Sequence, residues 1–187
     1  MKMTSGIPGV VQGALAMALP ALACAVHGAE AAPNRADTSV PAALAVPGHA
    51  SAAMFSASGV QIYRCQKSAQ GGADFAWTFV APEASLHDSQ GAVAGRHYGG
   101  PTWEAVDGSK VVGKLVAKVP APDSASIPWL LLSATVAQAG PTLGRVDFVQ
   151  RLNTRGGAAP SGGCAADKVD QEARVPYTAD YVFLAPQ

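Results

Sequence analysis

The sequence predicts an all-β fold, a single antiparallel β-sandwich or barrel-like domain set behind a signal peptide and a Pro/Ala-rich linker. Three observations predict it. Short runs of β-branched and aromatic residues recur along the chain, punctuated by Gly, Pro and Asp. Beyond the leader, no twelve-residue window keeps an apolar stripe at helical spacing free of Pro or Gly. The 49% hydrophobic content over 187 residues suits one buried core and needs no second domain.

Residues 1–31 read as a signal peptide. Lys2 precedes the apolar stretch "VVQGALAMALPALACAV", which Gln12, Gly13 and Pro20 make too short and interrupted to span a bilayer. Ala29-Glu30-Ala31 and Ala23-Cys24-Ala25 both offer small-x-small cleavage patterns. Two alternatives stand beside export: an Ala-rich first helix of the domain, and a lipidated Cys24 anchoring the protein to an envelope. Against lipidation, the position that usually carries Leu before such a cysteine is Ala21.

Residues 32–57 are mostly Ala, Pro, Ser and Gly and read as an extended linker, along which Val40, Leu44 and Val46 offer apolar contacts to the domain. The domain is placed at 58–187. "GVQIYRCQ" and "FAWTFVA" predict two strands joined by the polar, glycine-bearing "KSAQGGAD". "VVGKLVAKV" sets Val111, Leu115, Ala117 and Val119 on one face and Lys110, Lys114 and Lys118 on the other. "WLLLSATVA" is nearly continuous apolar, as a strand covered on both sides should be. "GRVDFVQRL" aligns Val146, Phe148, Gln150 and Leu152, and "DYVFL" supplies a short last strand.

Charge and cysteine content narrow the function classes. Thirteen basic residues balance thirteen acidic ones, so the basic excess that phosphate neutralisation demands of a nucleic-acid binder is missing. With Cys24 removed in the leader, Cys65 and Cys164 remain as an even pair in an oxidising compartment, which predicts a disulfide. Two separate buried thiols are the alternative.

The densest chemistry lies in "RHYGGPTWEAVDGS", residues 96–109. Asp107-Gly108 signals a hairpin, and loop length decides which side chains face inward. A two-residue loop would bury Glu104 opposite Val111. A three-residue loop, Val106-Asp107-Gly108, instead pairs Glu104 with Lys110 and turns Trp103 to the core, which satisfies both charge and pattern. Glu104 is therefore expected at the surface. His97 and Tyr98, on a Gly-Gly-Pro approach, join Trp103 and Tyr177 as exposed binding candidates. "RVPYTADY" reads as a turn held by an Arg–Asp pair, with a polar rim of exposed tyrosines around a ligand site as the alternative. Arg151, Asn153 and Arg155 could supply anion-binding donors, although arginines at a strand end are usually solvated.

No nucleophile elbow, phosphate loop, dinucleotide fingerprint or His-x-His pair occurs, so no cofactor or metal is predicted. The first functional reading is a secreted or periplasmic binding module for a small molecule, glycan or protein. The alternative is a secreted hydrolase or metal-dependent enzyme using His87, Asp88, His97 and Glu104, which requires at least two of those side chains together in a cleft.

Together, "GVQIYRCQ", "HYGGPTWEAVDGSKVVG", "IPWLLL", "VQRLNTRGG" and "RVPYTADYVF" resemble the uncharacterised family catalogued as domain of unknown function 3455, over roughly residues 40–185. The resemblance implies bacterial and fungal relatives that often carry a secretion signal, and no established activity. Some fungal relatives bear a malate dehydrogenase label, which the missing nucleotide fingerprint and missing βα alternation do not support here. The family has no assigned catalytic residues to carry over, and the resemblance agrees with keeping both Cys65 and Cys164.

Overall fold

The computed structural model describes residues 40–68 and 75–187. Within them the chain forms eight antiparallel strands that close into a barrel: β1 (His49–Lys67), β2 (Phe75–His87), β3 (Val93–Tyr98), β4 (Thr102–Ala105), β5 (Lys110–Val119), β6 (Trp129–Gln138), β7 (Phe148–Gly156) and β8 (Glu172–Pro186). Each strand pairs with the next in sequence, and β8 returns to pair with β1 along nearly its full length. The all-β expectation therefore holds, with one ring of strands rather than two facing sheets. The stretch read as a signal peptide, Cys24 and the first part of the stretch read as a linker lie outside the described residues.

The inward set explains why the ring closes. Phe55 and Ala57 of β1, Ala84 and Leu86 of β2, Val111, Val149 and Phe183 are buried together at one end of the interior. Small residues sit where β1 coils against its neighbour. A Cβ on Gly59 would lie 2.1 Å from the Glu83 carbonyl oxygen, so only glycine permits that approach. On β5, a Cβ on Gly113 would lie 2.8 Å from the Trp103 ring, and its absence leaves the indole room inside the barrel.

The hairpin after β4 has the predicted geometry. Glu104 opposes Lys110, Trp103 opposes Val111, and Gly108 takes the positive φ of 83° that the third loop position needs. The Asp107 carboxylate accepts from the Ser109 N–H and hydroxyl and from the Thr142 N–H, tying the loop to the segment after β6.

Four expectations need correction. The linker does not run to residue 57: β1 begins at His49, and Leu44, in a single 3-10 turn at Ala42–Leu44, is fully buried. Its small residues suit a tightly coiled barrel strand as well as a linker, which is why composition misled. Leu44 packs on the outer face of the barrel with Trp129, Leu131 and Leu152, and its carbonyl accepts from Gln150 Nε2 at 2.7 Å. The Phe148, Gln150 and Leu152 face therefore meets this outer strap, and Val149 and Arg151 point inward instead. On β5 a bulge at Val116 reverses the alternation, so Leu115 faces in while Ala117 and Val119 join the outer cluster. "RVPYTADY" is strand rather than turn, and Arg174 pairs with Glu83 at 2.7 Å.

Cys65 and Cys164 form a disulfide across 99 positions of sequence. It tethers the loop between β7 and β8 to the far end of β1, where Cys65 also exchanges backbone hydrogen bonds with Asp170 and Gln171. Among the described residues no helix is long and apolar enough to cross a membrane.

Candidate functional site

The core fills only part of the barrel. Beyond Trp103 and Tyr181 the interior opens as a cavity of about 400 Å³, within the size range of small-molecule sites. Every strand of the ring gives it at least one residue, from Gln61 on β1 to Tyr181 on β8. Its walls are apolar: Pro82, Leu130 and Leu132 within, and Phe79, Val80 and Leu115 at the rim, where they stay about half exposed (50%, 45% and 53%). Bulges at Val80 and Val116 break the two strand ladders at that rim. Bulges re-aim side chains and are common where barrels open.

The floor is aromatic. The His97 ring stacks on Trp103 at 4.5 Å between centroids with an interplanar angle of 11°, and Tyr181 packs against both. His97 Nδ1 donates to the Thr102 carbonyl at 2.8 Å, which leaves Nε2 as the acceptor of a neutral ring. Burial pushes the His97 pKa down to about 3, and the nearby Arg151 charge pushes the same way. His97 is thus an uncharged imidazole at neutral pH. Burial also raises the phenols of Tyr177 and Tyr181, whose hydroxyls lie 3.4 Å apart, so both keep their protons.

Arg151 is the charged member of the lining. Its inward position on β7 follows from alternation with Val149, and its Nε and one Nη donate to the Pro128 carbonyl at 3.1 and 2.9 Å. That carbonyl precedes Trp129 and anchors the arginine at the start of β6. The Arg151 charge bears on Tyr63, His97, Tyr177 and Tyr181. No carboxylate pairs with it among the described residues.

Of the four predicted binding residues, His97 and Trp103 line this cavity. Tyr177 is buried beside it through Tyr181. Tyr98 is not part of it: alternation turns it to the outer face, where its hydroxyl donates to Glu104 at 2.7 Å and Arg96 lies over its ring. Nor are these aromatics exposed in general, since Trp103 and Tyr177 are buried at 1% and 3%. Sequence reasoning missed Gln61 as a cavity residue, and gave a ligand-site role to Tyr181 and an anion-binding role to Arg151 only as second readings. The usable signal was phase: Gln61 shares the inward phase of Gly59, Arg151 that of Val149, and Tyr181 that of Phe183.

The residues of the enzyme alternative are not brought together. His97 and Glu104 face opposite sides of the sheet, because His97 opposes Trp103 while Arg96 opposes Glu104. Glu104 is held by Arg96, Lys110 and Tyr98 on the outer face, which lowers its pKa to about 2. His87 and Asp88 organise their own turn: the His87 ring donates to the Gly91 carbonyl, and Asp88 accepts from the Gln90 and Ala92 N–H groups. A second depression of about 370 Å³ lies beside the loop after β5, but its acid, Asp123, is occupied in binding the Ala125 N–H and the Ser126 hydroxyl.

A family model described as "Protein of unknown function (DUF3455)" matches residues 46–185, a span that takes in all of the barrel except its last strand residue. No curated protein and no solved structure matches the chain.

Proposed function

The chain belongs to the family described as Protein of unknown function (DUF3455), and from that premise we propose that it is a binding protein that takes one small, largely apolar molecule into the open end of its barrel. The observation that carries this reading is the cavity itself. Eight-stranded barrels have an interior that side chains can just fill or that holds one small ligand. Here the filling stops at Trp103 and Tyr181, and an apolar rim stands exposed above them.

The reading includes export. A leader over residues 1–31 and the Cys65–Cys164 disulfide both suit a secreted or periplasmic protein, and lipidation at Cys24 would tether the same barrel to an envelope. Glycan and protein partners are less well matched, because the polar groups at the site are few and lie below an apolar rim.

The neutral dye N-phenyl-1-naphthylamine tests the proposal, since it brightens on entering an apolar cavity. One dye per chain is expected, with binding weakened by Leu115→Glu, a rim substitution at a half-exposed position where the new carboxylate can stay in water. Absence of dye binding, or binding indifferent to that substitution, overturns the reading.

A further inference from the structure

The polar atoms of the cavity share a character that narrows what it takes. Gln61 and Trp103 are 2% and 1% exposed, yet Gln61 Nε2 and Trp103 Nε1 make no well-formed hydrogen bond among the described residues, the Gln61 amide reaching only loosely toward the Tyr177 hydroxyl. Both are donors on residues of the cavity lining, and both atoms sit beneath its surface rather than on it. The other orphaned side-chain atoms, Trp129 Nε1 and Asp147 Oδ1, belong to residues outside its lining. Most buried polar groups find partners, so a pair of unmet donors beneath one cavity wall favours a ligand that accepts over one that donates.

Arg151 adds the charge. It is the one formally charged residue of the described lining, and the Pro128 carbonyl that it meets neutralises none of that charge. The acceptors alongside it, Gln61 Oε1 and His97 Nε2, are neutral. Facing it from the packed elements are Tyr63, Tyr177 and Tyr181, which keep their protons, and uncharged His97. Arg151 is half-buried, and a partly desolvated cation without a counter-ion gains from a ligand that supplies one anionic group.

Resting on the small-molecule reading above, we propose that the ligand is an apolar monocarboxylate. Its carboxylate meets the Arg151 guanidinium, and its body lies along Leu130, Leu115 and Phe79. A single guanidinium matches a single negative charge, and its planar fork matches a carboxylate's two oxygens. An amine would be repelled by Arg151, and an alcohol would leave the charge unmatched.

The test compares decanoate, decanol and decylamine by calorimetry on the full-length oxidised protein. Decanoate is expected to bind roughly ten- to a hundredfold more tightly than decanol, the range of a charge-assisted hydrogen bond. Arg151→Met should abolish that preference while decanol still binds, and Arg151→Lys should keep part of it. The wild-type protein gives an independent answer without mutation: the preference should vanish as pH falls below the ordinary carboxyl range, about 4–5. Equal binding of decanoate and decanol, tighter binding of decylamine, or a preference that survives Arg151→Met or low pH overturns the assignment. If decanol and the neutral dye bind as well as decanoate, only the carboxylate falls. If nothing in the series binds and the dye does not either, the small-molecule reading falls with it.

Discussion

Replacing both Cys65 and Cys164 by Ser removes the covalent link between the end of β1 and the loop before β8. The half-cystines are 99 positions apart, so the disulfide closes a loop of about a hundred residues in the unfolded chain. The chain-entropy relation then gives about 16 cal/mol/K, or about 4.7 kcal/mol at 25 °C. Cys65 is fully buried and keeps its backbone bonds to Asp170 and Gln171, so the folded structure around it should survive the exchange. For a domain whose whole stability is about 5–15 kcal/mol, a loss of that size is large. It corresponds to a fall in Tm of roughly 10–20 °C. Urea unfolding at 25 °C, followed by near-ultraviolet circular dichroism, measures it directly. The double variant should unfold at lower urea with a steeper dependence, because its unlinked chain exposes more surface. A native-like variant that loses less than about 1.5 kcal/mol would refute the entropic account.

Three more outcomes follow from specific contacts. His49 donates to Asp147 at 3.0 Å, and that bond raises its pKa from 6.5, so its contribution is fully present below pH 6.5 and is lost as pH rises through the raised value. Urea midpoints of wild type and His49→Gln should therefore converge as pH rises above 6.5 through the raised value, and a gap that stays constant with pH would refute the linkage. Glu104 has the opposite sign: its pKa is depressed from 4.5 to about 2, so Glu104→Gln should lower stability at pH 7, the gap should close as the medium is acidified through that interval, and dye binding should not change. Gly113→Val should push a side chain into the Trp103 ring, cost about 1–3 kcal/mol and shift the indole fluorescence, whereas unchanged emission would mean the ring does not fill that space.

The legible parts of the fold were those decided by local physics. The hairpin register around Trp103 could be read because one loop length paired Glu104 with Lys110 and the other buried a bare carboxylate. The disulfide followed from two cysteines and a compartment. What stayed hidden was non-local. Nothing short-range in "HASAAMFSAS" says that its alanines and serines line a coiled strand between β2 and β8, because small residues there answer to neighbours far along the chain. Pro176 and Asp180 made β8 look like a turn, yet both positions pair within the ring. Arg151 was lost to an alternation assigned to the wrong side. The outer strap makes the Phe148 face as apolar as the interior, so hydrophobicity alone cannot tell the two apart.

The closing seam between β1 and β8 also sets the order of folding. It joins residues as remote as His49 and Pro186, while every other pairing in the ring links strands adjacent in sequence. Hairpins can form early, whereas a seam of such long range must wait for the chain to bring its ends together, and topologies of this kind fold in milliseconds to seconds. Until then the long β1 and β8 ladders stand open, the state in which strands pair with the wrong chain. The finished barrel offers no such edge, so its exposure to misassembly is concentrated in the interval before that last seam zips.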